Sequence, residues 1–283
     1  MVAVHVVAHR ERAEAAALAH RVASWLVDHG HEVWMDADDA GAVGAPHLGS
    51  DRDPATADLV VSLGGDGTTL RAVSALSGAA VPVMAVNVGL LGYLAEMEPD
   101  GLVEALERWC NGDHGEVEER MMLDITVARA DGSARGYTAL NEAVVEKQEP
   151  GHTVRLLVHI DGAPFTSYAA DGLIVATPTG STAYSLSARG PVVSPKHRAI
   201  LLTPVSPHML FDRSLVLDPD EPVVIEVVGH RAATLTIDGQ SGTTLSEGDR
   251  VLVSTSAHVA RFVRFAPRRF HQILKAKFGL ADR

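Results

Sequence analysis

A glycine-rich segment that carries one carboxylate follows an apolar run in the first quarter of the chain. Residues 60–63 read Val-Val-Ser-Leu, residues 64–68 read Gly-Gly-Asp-Gly-Thr, and a stretch with helical spacing comes next. Glycines let backbone N–H groups approach a phosphate closely, and a helix N-terminus adds positive potential. The segment is not a P-loop, because no Gly-Lys-Ser/Thr follows, and Leu70 replaces the third glycine of a GxGxxG fingerprint.

Asp66 is the group in this segment that could perform chemistry. A carboxylate beside bound phosphates is repulsive unless it has a task, such as taking the proton of an attacking hydroxyl or helping to hold Mg²⁺. A tight turn with an aspartate cap uses the same residue types. The segment alone therefore leaves a catalytic and a purely structural interpretation open.

Two further segments carry polar groups suited to a nucleotide. Residues 171–187 read Asp-Gly-Leu-Ile-Val-Ala-Thr-Pro-Thr-Gly-Ser-Thr-Ala-Tyr-Ser-Leu-Ser, so an apolar run leads into small hydroxyl residues that can bind sugars and phosphates. Tyr184 could stack on a base or a nicotinamide ring, although an ordinary turn into a capped helix has the same composition. Asn141 can pair with an adenine edge and Glu142 can accept from ribose hydroxyls. Taken alone, that dipeptide is better explained as a polar surface pair.

The elements that must position these groups change character along the chain. Strand and helix patterns alternate over residues 1–113, which predicts a Rossmann-like α/β domain with a mainly parallel sheet that carries the glycine loop. Closely spaced strand patterns predict a β-rich, β-sandwich-like domain over residues 114–260, with a hairpin turn at Asp161-Gly162. Residues 261–283 are expected to dock as a tail on the body. The acidic stretch 36–53 is rich in Gly and Ala and predicts a surface loop.

Composition excludes several classes of protein. The formal net charge of −12 argues against a general nucleic-acid binder, which would present a basic face. The single cysteine, Cys110, can form neither an internal disulfide nor a CxxC clamp, and no His spacing such as HExxH indicates a metal site formed by the protein. The start of the chain lacks a signal-peptide pattern, and no apolar run approaches the ~18 residues of a membrane helix. A cytoplasmic protein without a membrane partner is expected.

Taken together, the order and spacing of these segments resemble the NAD kinase family. Residues 64–68, 141–142 and 171–184 match its signature segments, Asp238-Gly239-Gln240 fits a later one, and the resemblance covers about residues 57–250. It implies phosphorylation of the 2′-hydroxyl of the adenosine ribose of NAD to give NADP, with ATP or another phosphoryl donor and a divalent metal, usually Mg²⁺. It also implies that the β-rich domain binds NAD and that the chain forms a homodimer or homotetramer.

The resemblance also implies roles for individual residues. Asp66 would be the base, and Arg71 would reach a phosphate. The other residues expected to bind the donor or NAD are Gly64, Gly65, Gly67, Thr68, Asn141, Glu142, Asp171, Thr182, Ala183, Tyr184 and Ser187, with Arg155 and Gln240 as weaker members. Arg189 departs from the family, which often has a glycine at that position.

Two other functions use similar segments. A lipid or sphingoid-base kinase shares a Gly-Gly-Asp-Gly loop, but it needs an apolar acceptor pocket, whereas residues 171–187 are polar. A non-catalytic NAD sensor would gain little from the Asp66 carboxylate beside phosphates. A lipid or sphingoid-base kinase would phosphorylate diacylglycerol or sphingosine. A sensor would bind NAD without forming a product.

Overall fold

The computed structural model describes residues 1–89, 92–95, 97–265 and 270–280. The chain divides into two compact units, Met1–Glu119 with Ala260–Arg283, and Arg120–Val259. The sequence predicted domain boundaries after residues 113 and 260, with a separate tail from residue 261. In the structure the described part of that tail belongs to the first unit, whereas Pro267 and its neighbours 266–269, and residues 281–283, lie outside the described residues.

The first unit alternates strands and helices. Its elements are β1 (Ala3–Ala8), α1 (Ala13–Asp28), β2 (Glu32–Trp34), α2 (Ala37–Ala42), β3 (Leu59–Gly64), α3 (Asp66–Ala75), β4 (Pro82–Asn87), α4 (Leu102–Cys110), the end of β16 (Arg250–Arg264) and α6 (Phe270–Lys277). The strands lie in the order β2-β1-β3-β4 and are all parallel, and the end of β16 is parallel to β4. The predicted α/β domain with a mainly parallel sheet is confirmed.

Apolar periodicity explains how the helices pack. In α1, Leu18, Val22 and Leu26 recur at helical spacing, and all three are buried in one core with the strands. Gly30 follows at φ 75°, a conformation that glycine adopts without steric cost, and ends the helical segment. No helix in the described part of the chain is long and apolar enough to span a membrane.

The predicted surface loop at residues 36–53 is wrong. The segment folds into α2 and a short 3₁₀ turn at Pro46–Leu48, and Ala40, Ala45 and Leu48 are buried in the core. Its acidic composition misled the prediction, because Asp39 is itself fully buried and neutralised by partners distant in sequence.

The second unit consists mainly of strands. Its elements are β5 (Glu116–Ala128), β6 (Ala134–Ala139), β7 (Glu142–Lys147), β8 (Val154–Ile160), β9 (Ala163–Ala170), β10 (Gly172–Ala176), α5 (Tyr184–Ser187), β11 (Ile200–Val205), β12 (Leu215–Leu217), β13 (Val223–Val227), β14 (Ala233–Ile237), β15 (Gln240–Leu245) and the first part of β16. One antiparallel sheet has the order β12-β11-β10-β7-β14-β15, and the other contains β16-β13-β8-β9 with β5 and β6. Both contribute to one apolar core, which confirms the β-rich, sandwich-like prediction.

Two tight hairpins of this unit use left-handed backbone. Asp161 and Gly162 join β8 to β9 at φ 48° and 74°, as the sequence predicted. Asp238 and Gly239 join β14 to β15 at φ 47° and 76°. Two consecutive positive φ values are the requirement of a type I′ turn, which Asp-Gly satisfies.

Candidate functional site

The glycine loop is a very short connection between β3 and α3. The strand ends at Gly64 and the helix begins at Asp66, with Gly65 as its N-cap. A side chain at Gly64 would overlap the side chain of Thr68, so the close approach of the first helical turn requires glycine here. The loop thus presents the positive end of α3 at the carboxyl edge of the sheet.

Asp66 is held by backbone groups of a neighbouring segment. Its Oδ2 accepts the N–H of Tyr93 at 2.8 Å, and its Oδ1 accepts those of Leu94 at 2.9 Å and Ala95 at 3.4 Å. A Cβ at Gly92 would overlap Oδ1, so this segment approaches the carboxylate more closely than a side chain would allow. The carboxylate is therefore fixed in one orientation.

A cavity of about 450 Å³ opens beside the glycine loop within the first unit. Residues 9–12, which follow β1, line it together with Gly65, Gly67, Thr68 and Arg71. The strands β1 and β3 are parallel neighbours, and β2 lies on the other side of β1. Such a reversal of strand order leaves a crevice at the carboxyl ends, which is where open α/β sheets bind ligands.

Asp39 organises two of the three arginines at this cavity. Its Oδ1 accepts Arg10 Nε at 2.7 Å and Arg71 Nη1 at 2.8 Å, and its Oδ2 accepts the N–H of Ala8 at 3.2 Å. Burial opposes ionisation of this carboxyl, but the hydrogen bonds from Arg71 and Arg10 outweigh burial and hold its pKa below its usual range. Arg71 lines the cavity as expected for a phosphate ligand, but it shares its charge with Asp39.

In the second unit, Asp238 fixes the Asn141-Glu142 pair. Its carboxylate accepts the backbone N–H groups of Leu140 at 2.8 Å, Asn141 at 2.8 Å and Glu142 at 3.0 Å. The strand pairing places β14 beside β7, so the hairpin turn at Asp238 meets the start of β7. Gln240 follows this turn and lies at the same end of the sheet.

The segment 171–187 meets the same end of the sheet. The N–H of Thr177 donates to the carbonyl of Asn141 at 2.8 Å, and its hydroxyl donates to Leu140 at 2.6 Å. A side chain at Gly180 would overlap the backbone of Asn141. Three segments that are far apart in sequence therefore converge on one backbone turn.

Glu142 is the most perturbed acid in this cluster. It is buried, and no partner among the described residues lies within hydrogen-bonding distance of its Oε2. Burial, followed by the nearby Asp238 charge, raises the pKa of Glu142 to about 8, although the N–H of Tyr184 donates to the carboxyl. A buried carboxyl that is neutral near pH 7 can donate a hydrogen bond as well as accept one, and Oε2 is the oxygen left for a ligand.

Asp171 lies at the opposite end of β10 from this cluster. Its Oδ1 forms an ion pair with Lys147 Nζ at 2.6 Å. Burial raises the pKa of the Tyr184 phenol, and the charges of Glu146 and Asp171 add to the shift. The backbone N–H of Tyr184 donates to Glu142, and its phenol responds to the charge of Asp171.

The remaining predicted residues fall into two groups. Thr182, Ala183 and Ser187 lie on the turn and short helix α5 that flank Tyr184. Arg155 lies on β8, in the other sheet, exposed between the buried Val154 and Leu156. The structure therefore does not bring Arg155 to the cluster around Asn141.

Sequence reasoning assigned no role to several groups at these positions. Nothing in the sequence indicated a buried role for Asp39, because an aspartate in an acidic stretch is normally exposed to solvent. For Arg10 and Arg12 the sequence did carry a signal. Both residues follow β1, and β1 is the parallel neighbour of β3, which ends at the glycine loop. Within the described ranges, no three His, Cys, Asp or Glu side chains are grouped as a metal site.

Comparison with known proteins assigns both parts of the chain to one family. The model of the ATP-NAD kinase N-terminal domain matches residues 4–114, and that of the C-terminal domain matches residues 140–265. The chain is 41% identical to the NAD kinase of Heliobacterium modesticaldum, over 98% of each chain, and 37% identical to that of Desulforamulus reducens, over 97% of this chain and 96% of the relative.

Solved structures agree with this assignment. A crystal structure of yeast NADH kinase with NADH superimposes with a TM-score of 0.85 at 27% identity, over 99% of this chain and 88% of the other. An NAD kinase from Archaeoglobus fulgidus with ATP has a TM-score of 0.73 at 24% identity, over 98% and 96%, and supports the fold alone.

Proposed function

This chain belongs to the NAD kinase family, and we propose that it transfers a phosphoryl group from ATP to the 2′-hydroxyl of the adenosine ribose of NAD, giving NADP. The observation that carries this proposal is the convergence of Asn141-Glu142, the 177–184 turn and Asp238 on one end of a sheet. Buried polar groups normally have partners, and Glu142 Oε2 has none within the described chain. A ribose hydroxyl would supply one.

Groups of the second unit would bind the dinucleotide. Asn141 would pair with the adenosine portion, and Glu142 would exchange hydrogen bonds with a ribose. Tyr184 is partly exposed and offers a ring face to a base or nicotinamide. The Asp171 carboxylate, steadied by Lys147, would accept from donor groups of the ligand. Thr182, Ala183, Ser187 and Gln240 would complete the contacts, and Arg155 stays a weaker member of the set.

The cavity of the first unit would hold the phosphates of the donor. The backbone N–H of Gly67 belongs to the first turn of α3, where helices bind anions, whereas the N–H of Thr68 donates to the carbonyl of Gly65 at 3.1 Å. Gly64 and Gly65 would leave room for the phosphates, and Arg71 would add positive charge. A divalent cation, Mg²⁺ in the usual case, would enter as part of the donor substrate and neutralise developing charge on the phosphates.

Asp66 would act as the base. Three of its roughly four acceptor positions are used by backbone N–H groups, which leaves one for the proton of the 2′-hydroxyl. Fixed orientation matters because phosphoryl transfer depends mainly on positioning and charge neutralisation. General-base assistance contributes about 10²- to 10⁴-fold to turnover.

The test is direct. Purified protein is mixed with NAD, ATP and Mg²⁺, and NADP is measured with an NADP-specific dehydrogenase. We expect NADP from the wild type and a loss of about 10²-fold or more in Asp66→Asn. Asp58→Asn is the matched control, since Asp58 is an exposed carboxylate of the same unit that also accepts one backbone N–H. No NADP, with NADH and other donors also tried, would favour a sensor or a kinase for another acceptor.

We also propose that the chain acts in the cytoplasm as a homodimer or homotetramer. Phe165 and Phe211 contact edge to face on the surface of the second unit, and Leu210 beside them is fully exposed. Exposed apolar clusters of this kind mark protein contacts. Light scattering of the purified chain tests the proposal, and a monomer at micromolar concentration would contradict it.

A further inference from the structure

We infer that Arg12 is the residue that supplies uncompensated positive charge to the donor phosphates in the cavity beside the glycine loop. The inference rests on the proposed function, because it names a further binding residue of that donor site. Arg12 lines the cavity with Gly65, Gly67 and Thr68. It follows β1, whereas the glycine loop follows the adjacent parallel strand β3, so both reach the crevice at the reversal of strand order.

The guanidinium of Arg12 is anchored by backbone and by no side chain of the described chain. Its Nη1 donates to the carbonyl of Val88 at 2.7 Å. A Cβ at Gly89 would overlap the same nitrogen, so the guanidinium lies directly against the backbone of Gly89, which has φ 121°. A guanidinium has five N–H donors in a rigid fork, and one bond to Val88 leaves the others available.

The other two arginines of the cavity are already paired. Arg10 and Arg71 both bond Asp39, and Arg10 also lies 3.5 Å from Asp38. Arg12 has no carboxylate within 4 Å among the described residues. Glu11 is the acid among the residues that line the cavity, and it forms no ion pair with Arg12. Arg12 is therefore the arginine of the lining that no carboxylate of the described chain pairs, and only its bond to Val88 uses the guanidinium.

The fixed position of the Arg12 guanidinium should strengthen its binding to a phosphate. A long cationic side chain normally loses conformational freedom when it binds an anion, and prior fixation by Val88 and Gly89 reduces that loss. Arginine forms bidentate, charge-assisted bonds to phosphate oxygens. The first turn of α3 supplies neutral N–H donors to the same cavity, so a phosphate chain there would contact both backbone dipoles and a full charge.

The test compares two variants with a matched control. Arg12→Ala removes the charge, and Arg12→Lys keeps charge and length but loses the fork. Arg21→Ala is the control, because Arg21 lies on α1, which begins directly after Arg12, donates to one carbonyl, that of Pro99 at 2.8 Å, and does not line the cavity. Calorimetry measures the affinity for inorganic tripolyphosphate, and steady-state kinetics measure KM for ATP and for NAD. Circular dichroism confirms that each variant folds.

We expect Arg12→Ala to weaken tripolyphosphate binding and raise KM for ATP by about tenfold or more, with KM for NAD unchanged. Arg12→Lys should fall between Arg12→Ala and the wild type, and Arg21→Ala should match the wild type. Unchanged tripolyphosphate affinity in Arg12→Ala would overturn the inference while leaving NADP formation intact. Absence of NADP from the wild type would instead contradict the proposed function, and the tripolyphosphate measurement would still decide the role of Arg12.

Discussion

Asp238 Oδ1 accepts the backbone N–H of Asn141 at 2.8 Å across a separation of 97 residues. The same carboxylate bonds the N–H groups on either side, so the turn that presents Asn141 depends on one distant acid. Asp238 acts through this turn, which makes it a positioning residue.

We expect Asp238→Asn to raise KM for NAD about tenfold while KM for ATP stays near the wild-type value. The asparagine amide keeps one acceptor oxygen, but its NH₂ group would face a backbone N–H that has lost its acceptor. Leaving such a buried group unsatisfied costs about 1–3 kcal/mol of folding free energy. Steady-state kinetics and urea unfolding measure the two effects. Asp218→Asn is the control, because Asp218 accepts one backbone N–H in an exposed turn. Equal changes in both KM values would contradict the positioning role.

The contribution of Glu142 to the stability of the fold should decrease as pH rises from about 4.5 to 8. The pKa of Glu142 is about 8 in the folded chain against 4.5 for an ordinary glutamate, so over this range the folded chain keeps a proton that the unfolded chain releases. Stability falls with pH wherever the folded state binds more protons. Burial also raises the pKa of Asp238, which acts in the same direction.

Glu142→Gln isolates this contribution. The amide cannot ionise, so the variant should lose less stability than the wild type between pH 5 and pH 8.5, and the difference should grow with pH. Thermal midpoints measured across that range check the prediction. Parallel curves for the two proteins would show that Glu142 ionises normally in the folded chain.

Gly92→Ala should reduce turnover by about 10²-fold or more, in the range of losing a positioned general base. The added Cβ would overlap Asp66 Oδ1, so either the carboxylate or its backbone donors must move. Single-turnover rates report the effect on chemistry. Gly101→Ala serves for comparison, since a Cβ there meets no atom within 4 Å. Normal turnover in Gly92→Ala would show that the orientation of Asp66 is not required.

Arg189→Gly should stabilise the fold by up to about 1 kcal/mol. Arg189 has φ 65°, and a left-handed conformation costs a residue with a side chain about 1–2 kcal/mol, which the larger chain entropy of glycine partly offsets. Arg189→Val should destabilise the fold, because β-branched residues avoid positive φ. Equal unfolding midpoints for all three proteins would show that the turn is not strained.

Local pattern predicted the first unit and most strands of the second, because apolar spacing and Asp-Gly turns act over a few residues. It also pointed to Asp66 and the 171–187 segment as candidates, whereas Asn141 became one only through the resemblance, and the roles of all three stay predictions. It could not show that Asp238 fixes Asn141, because that contact follows from the strand order β10-β7-β14, which is not the order of the chain. It misread Asp39 for the same reason, since the arginines that neutralise this acid lie about thirty residues away on either side.

The parallel pairing of Arg261 with Pro82 has a consequence for biosynthesis. The first unit receives its last strand from residues that the ribosome adds only after the entire second unit has been made. Until then β4 presents an open edge, and open edges recruit other chains. The glycine loop and its cavity are thus built on a sheet that is completed only after the second unit has been translated, so a chain terminated before Ala260 should aggregate rather than yield a free first unit.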